Sequence, residues 1–313
     1  MVDLASEYNN LAIPRVPQYC VHLAACVTVA AFTAMLTTTH APRRTPVTSE
    51  TYEIVAIKYG EFTSRRRYES FIGADDHDAP HPIDYYVWLI RNPNRTILVD
   101  CGFDEAEASK RGRRIARTPA GALEMLGVGA AKVEQLIVSH LHYDHSGTMR
   151  DFPNARFHLQ AAEMAYATGP SMCHNHLRYP FTADHVCEMV RNVYSGRVIF
   201  HDGDAEVAPG ISVHKIGGHS RGLQCVRVMT GNGPVVLASD SSHFYENFEQ
   251  GKVFPITVDV ADVLNGYARL KSLAASPRHV VPGHDPLVLH RYPALNAQTQ
   301  GIAHRVDVAR LDR

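Results

Sequence analysis

The amino-acid sequence predicts a layered α/β fold, with sheets inside and helices outside. Three observations point to it. Short apolar segments rich in Val, Ile and Tyr come in two blocks, and each block is closed by segments of helical composition. Several of these segments end abruptly in small-residue loops that carry His or Asp. The densest loop, Ser139-His140-Leu141-His142-Tyr143-Asp144-His145-Ser146-Gly147, directly follows the run VEQLIV at 133–138. A buried strand opening into an imidazole-rich loop mounts polar chemistry on a rigid element.

Composition narrows the function classes. The chain has 313 residues, enough for one large domain or two small ones, with ordinary hydrophobic (45%) and charged (20%) content. Its net charge of −1 gives no global basic field for nucleic acid or an anionic membrane surface. Histidine is abundant, with 19 residues. The six cysteines show no CxxC pair, which excludes a thiol zinc finger and a disulfide scaffold. Cys225, inside the apolar run 223–229, reads as core packing.

Taken in order, residues 1–49 form an extension and linker. The uncharged apolar run 23–36 (LAACVTVAAFTAML) is shorter than the roughly 20 residues a membrane span needs. It fits a leader, a docking helix, or an upstream extension of a frame whose working start is Met35. The poorly basic segment before it favours the last two, hence a cytoplasmic protein, with a secreted or periplasmic one if the run is a leader. Residues 50–290 are expected to be the working domain and 291–313 a C-terminal tail.

Strands are expected at 52–59, 85–90 and 96–99, the last two joined by the turn Arg91-Asn92-Pro93-Asn94-Arg95. Residues 62–82 between them carry Arg65-Arg66-Arg67, either a solvated charge cluster on an exposed loop or a flap over a pocket. A helical stretch at 105–125 is interrupted near Pro119. A short strand at 156–159 leads into a helix at 161–167, with His158 structural. The stretch 169–195, with a helix at 183–193, reads as an insertion walling a site, and its His174 and His176 as structural or surface residues. Strands at 197–200, 211–216, 223–229 and 235–238 follow. The helix at 259–274 is expected to turn Val260, Val263, Leu264, Tyr267, Leu270 and Leu273 to one face, before a last strand at 279–281.

Three later loops repeat the pattern of the first. Gly217-Gly218-His219, Ser239-Asp240 and Pro282-Gly283-His284 each follow an apolar strand. Glycine lets the backbone approach a site closely and adopt positive φ. With His140, His142, Asp144 and His145 these supply seven metal-ligating side chains. A single closed zinc takes about four, so seven suit two adjacent ions. His140, His142 and His219 would hold one ion, Asp144, His145 and His284 the other, with Asp240 bridging. Asp144, a carboxylate beside a bound water, could also carry a proton.

The order His-x-His-x-Asp-His (140–145), His219, Asp240, His284 resembles the metallo-β-lactamase superfamily over about 52–290. The resemblance implies an αββα four-layer sandwich with the metal site at one edge of its sheets. Having Asp144, His145 and Asp240 together matches the dinuclear branch. The stretches Val99-Asp100-Cys101-Gly102-Phe103, 139–147, 218–224 and 237–240 are similar to the N-acyl homoserine lactone lactonases and to 4-pyridoxolactonase. Some of these lactonases have a tyrosine three residues after the bridging Asp; here that position is His243, followed by Phe244 and Tyr245.

The resemblance implies a hydrolase that opens a small-molecule lactone by attack of metal-bound hydroxide, as in quorum quenching. The two divalent ions would be zinc, with manganese, cobalt or iron(II) as alternatives. His243, or else Tyr245, would stabilise the oxyanion, and Asp144 would pass a proton to the leaving oxygen. Cys101 and Ser139 are structural in this scheme. A homodimer is a family expectation. The alternatives are 4-pyridoxolactone as substrate, or a thioester, phosphoester or sulfate ester whose anionic leaving group the arginine row holds. A non-hydrolytic di-iron protein is disfavoured, because no flavodoxin-like segment follows residue 290.

Overall fold

The computed structural model describes residues 50–73 and 78–312. The apolar run 23–36, the linker that follows it, Cys20, Cys26 and residues 74–77 of the arginine-bearing loop lie outside the described residues. Among the described residues the chain forms β1 (Glu53–Phe62), β2 (Ile83–Asn92), β3 (Arg95–Val99), β4 (Arg114–Ile115), β5 (Gln135–Ile137), β6 (Arg156–Gln160) and β7 (Val198–His201). It continues through β8 (Ala205–Ala208), β9 (Ile211–Lys215), β10 (Gln224–Thr230), β11 (Gly233–Leu237) and β12 (Val280–Val281), and ends with β13 (Ala303–Arg305). The helices are α1 (Glu105–Arg111), α2 (Pro119–Glu124), α3 (Tyr143–Ser146), α4 (Ala161–Ala167), α5 (Asn175–Arg178), α6 (Ala183–Tyr194), α7 (Tyr245–Gln250), α8 (Val260–Leu273) and α9 (Leu287–Arg291).

The strands make two mixed sheets. One runs β13-β1-β2-β3-β5-β6-β7, with β4 also paired to β1; the other runs β12-β11-β10-β9-β8. In the first, β3, β5, β6 and β7 are parallel, so each crossover must carry helices. In the second, only β11 and β12 are parallel.

Alternation along β1 and β2 explains the layering. Val55, Ile57, Tyr59, Val87 and Leu89 join a core with Ala122 and Leu123 of α2 and Val186 and Met189 of α6. Ile54, Ala56, Tyr86, Trp88 and Ile90 join a second core with Val213, Val226 and Val236 of the other sheet and with α8. Side chains alternate faces along a strand, so a strand buried on both faces reads as a near-continuous apolar run. The αββα sandwich is therefore observed.

Several expectations need correction in detail. Pro119 does not interrupt a helix but opens α2 at its first position, where its missing N–H costs nothing. Asp104 caps α1, and Gly112 ends it at φ 64°. On α8 the buried stripe is Val263, Gly266, Tyr267 and Leu270, whereas Val260 and Leu264 are exposed. Residues 291–313, expected as a tail, contain β13, which pairs with β1; Ala303, His304 and Val306 are buried. Strand β8 and helix α7 have no counterpart in the sequence reading. Among the described residues no helix is long and apolar enough to cross a membrane.

Candidate metal centre

Four strand ends deliver the predicted ligands to one place. The loop after β5 carries His140 and His142, and the short α3 adds Asp144 and His145. The β9–β10 connection carries His219; the turns after β11 and β12 carry Asp240 and His284. Donor atoms of His140, His142, His219 and Asp240 lie within 4.8 Å of one another, as do those of Asp144, His145 and His284. Asp240 faces both sets. Its Oδ2 lies 3.1 Å from His219 Nε2 and 3.8 Å from His140 Nε2. Its Oδ1 lies 2.8 Å from His284 Nε2 and 3.2 Å from His145 Nε2.

In four of the five imidazoles the other ring nitrogen is held from behind, whereas His142 Nδ1 lies 2.9 Å from His219 Nε2. His145 Nδ1 lies 2.8 Å from Asp100 Oδ2, His140 Nδ1 3.0 Å from Ser139 Oγ, His219 Nδ1 2.7 Å from the Ile256 carbonyl and His284 Nδ1 2.9 Å from the Asp84 carbonyl. Such partners fix ring orientation and tautomer, leaving the second nitrogen for an ion. Asp100 also accepts from the Ser139 N–H and hydroxyl, and Ser239 Oγ donates to Ser139 Oγ. Asp100 (φ 60°) and Ser239 (φ 46°) are the non-glycine residues with positive φ among the described residues. Strain of this kind persists where surrounding contacts over-determine it.

Glu163 ties two ligand loops together. Its carboxylate accepts from the Leu141 N–H beside His140 and His142, and from Ser220 Oγ and the Gly222 N–H beside His219. Glycine makes the close approaches possible: a Cβ on Gly283 would stand 2.8 Å from the Ser239 carbonyl. The sequence reading names Asp100 only within the stretch 99–103, with no role, and does not single out Glu163. Asp100 ends an apolar strand before Cys-Gly, as the ligands do, and that signal was available; Glu163 looks like any helix residue.

The donor set fits two cations. His140 Nε2, His145 Nε2 and Asp240 Oδ1 are buried and have no hydrogen-bond partner among the described residues. Burial, reinforced by His145 and His142, holds the His140 imidazole well below its ordinary pKa, hence neutral and available as a ligand. Burial acts the same way on His145, but Asp240, Asp144 and Asp100 outweigh it and raise it well above. Burial pushes Asp240 up, yet His243, His284, His145 and His219 together hold it well below the usual carboxylate range. A pocket with this field calls for positive charge, which divalent ions bound by neutral imidazoles and carboxylates supply.

A cleft of about 50 Å³ opens onto this centre, with His142, Asp144, His219, Asp240 and His284 on its wall. His243 lines it too: its ring stacks on Phe254 at 3.5 Å, and its Nε2 lies 3.0 Å from Asp240 Oδ2. Burial lowers its pKa to about 3, so it is neutral. Tyr245, expected as the alternative donor, points elsewhere: it is packed in the second core beneath Arg291 and Arg310 and does not line the cleft. Two residues after His243, it begins α7, and the helix turns its ring inward.

The arginine row divides. Arg66 is exposed and Arg67 pairs with Glu246 at 2.6 Å, whereas Arg65 reaches the cleft wall. Tyr179 and Pro180 of the 169–195 segment form another wall, beside Tyr85, Tyr143 and Arg113, which the sequence reading did not single out. His174 and His176 are exposed. His158 pairs with His201 and Gln135 away from the ligands, in keeping with a structural role. The buried Cys101 thiol is pushed up by desolvation.

Comparison with known proteins bears on the family and the fold. A family model for the metallo-beta-lactamase superfamily matches residues 82–298. An N-acyl homoserine lactonase from a Bacillus species is 28% identical over 221 residues, covering 65% of this chain and 82% of that one. An N-acyl homoserine lactonase of Azorhizobium caulinodans is 25% identical over 228 residues, covering 67% and 84%. The fold is similar to the crystal structure of a quorum-quenching N-acyl homoserine lactone lactonase, with TM-score 0.64 at 23% identity over 76% of this chain and 94% of that one.

Proposed function

The chain belongs to the metallo-β-lactamase superfamily, and we propose that it hydrolyses lactones, N-acyl homoserine lactones in the first place. One observation carries the reading. Asp240 turns one carboxylate oxygen to His140 and His219 and the other to His145 and His284, the arrangement that a pair of ions sharing a bridging carboxylate requires. The likeness to N-acyl homoserine lactonases supports the choice of bond.

His140, His142 and His219 would hold one ion, Asp144, His145 and His284 the other. Divalent ions bound there, zinc in the first place, would supply an activated water at neutral pH and polarise the ester carbonyl. The chain's own groups do the rest. His243, neutral on the cleft wall, would donate its ring N–H to the developing oxyanion in place of its contact with Asp240 Oδ2. Asp144, also on that wall, passes a proton to the departing ring oxygen. Ser139 is no nucleophile, since its hydroxyl is engaged with Asp100 and Ser239. Cys101 is buried with its thiol protonated.

A pH-monitored hydrolysis assay tests this on homoserine lactones of short and long acyl chain, with 4-pyridoxolactone alongside. Opening of the homoserine lactones by the metal-loaded protein is expected. Cleavage of a thioester or phosphodiester with no lactone opened would overturn the reading.

A further inference from the structure

Several arginines among the described residues are matched to carboxylates. Arg67 pairs with Glu246, Arg91 with Glu53, Arg114 with Glu61 and Arg269 with Asp204. Arg65 and Arg113 are not: among the described residues neither has a carboxylate oxygen within 4.0 Å. Both are half-buried on the wall of the metal cleft.

Backbone register brings them together. Strand β4 pairs with β1 at Gly60↔Ile115 and Glu61↔Arg114. The next step sets Arg113 beside Phe62, and its guanidinium lies 3.8 Å over that ring. Arg65 lies three residues further along the chain from Phe62. Its guanidinium lies 4.7 Å over Phe254, the ring on which His243 stacks.

Each guanidinium is held through its Nε and its face. Arg113 Nε donates to Tyr143 Oη at 3.3 Å, and Arg65 Nε to Ser70 Oγ at 3.0 Å. Arg65 Nη2 donates to the Glu69 carbonyl. The Tyr85 phenol also borders the Arg113 guanidinium, so the partners of both guanidinium groups are neutral hydroxyls, phenols and a backbone carbonyl. The charged groups facing the pair are Glu69 for Arg65 and Asp144 for Arg113, with the phenols of Tyr85 and Tyr143. The Glu69 carboxylate is engaged by the Arg66 N–H, and Asp144 belongs to the metal set.

Two like charges, half-buried and facing one cleft with no carboxylate in ion-pair contact among the described residues, oppose folding. They are an anion site when a ligand completes them, because guanidinium matches carboxylate geometry. We propose that Arg65 and Arg113 bind a carboxylate on the substrate, remote from the scissile ester, so that the preferred lactones are anionic. This rests on the lactone reading and adds the charge of the substituent.

The test compares N-succinyl-homoserine lactone with N-succinamoyl-homoserine lactone, in both the wild-type holoenzyme and the variants Arg65→Met and Arg113→Met. The two lactones share the ring and the chain length, and differ by carboxylate against carboxamide. In the wild type, kcat/KM is expected to favour the succinyl compound by about tenfold or more. In each variant that ratio falls towards one, with the change in KM rather than kcat. Equal wild-type rates on the two lactones overturn the anion site and leave the lactone reading intact. So does a ratio that both variants preserve. Hydrolysis of neither lactone overturns the lactone reading, and the anion site with it. The wild-type comparison decides even if a variant fails to fold.

Discussion

On the cleft floor, the first donor stands three residues past the ends of β5, β11 and β12, and four past β9. At the mouth, Arg65, Arg113, Tyr179 and Phe254 come from four separate loops. The floor inherits its precision from two sheets, because a strand end cannot move without breaking the ladder behind it. The mouth inherits only what loop packing allows, such as the Arg113–Phe62 and Arg65–Phe254 stacks. Sites on strand ends are held more precisely than sites on loops. Chemistry is accordingly expected to fail when the floor is touched, and preference among substrates to change when the mouth is touched.

The floor should give the largest effects. His142→Ala removes a donor from the first set and is expected to abolish lactone opening and lower bound metal, checked by elemental analysis of the folded variant. Normal turnover without metal would break the distinction. Asp144→Asn keeps the shape but loses the proton carrier, and kcat should drop by about 10²–10⁴-fold. His243→Leu, where floor meets mouth, should cost on the order of 10²-fold in kcat if its N–H meets the oxyanion; an unchanged kcat would move it to the mouth.

Behind the floor, Asp100→Gly accommodates the positive φ while deleting the carboxylate on His145. Metal affinity should weaken by about 10–100-fold, read by competition with a chromophoric chelator. An unchanged affinity would mean that Asp100 serves the backbone and not the imidazole. The smallest effect is expected from Tyr245→Phe, with kcat within about twofold of wild type, since its hydroxyl is buried in the second core. A large loss there would show that the cleft extends further than the described geometry.

What could be read in the sequence follows the same division. The seven floor residues are visible because each sits where an apolar run stops at Gly, Ser, His or Pro, a local pattern. The two sheets were visible as apolar runs such as 85–90, which are buried on both faces. Strand β8 escaped, because Ala205–Ala208 is short, largely part-exposed and lies at a sheet edge. Strand β13 escaped too, because Ala303–Arg305 gains its strand character only by pairing with β1. Arg113 could not be read as functional: its place depends on a two-residue strand, β4, docking on β1. Tyr245 misled because adjacency to His243 in sequence says nothing about side-chain direction once α7 begins between them. Glu163 is invisible locally, as its partners are the backbones of two distant loops.

The central claim is that Asp240 joins two metal sets in a hydrolase. Its most direct test is to strip the protein of metal, add zinc stepwise, and follow bound metal and opening of an N-acyl homoserine lactone in the same samples. Binding of two ions per chain, with activity rising until the second is bound, is expected. Full activity in the stripped protein, or saturation at one ion with no further gain, would contradict it.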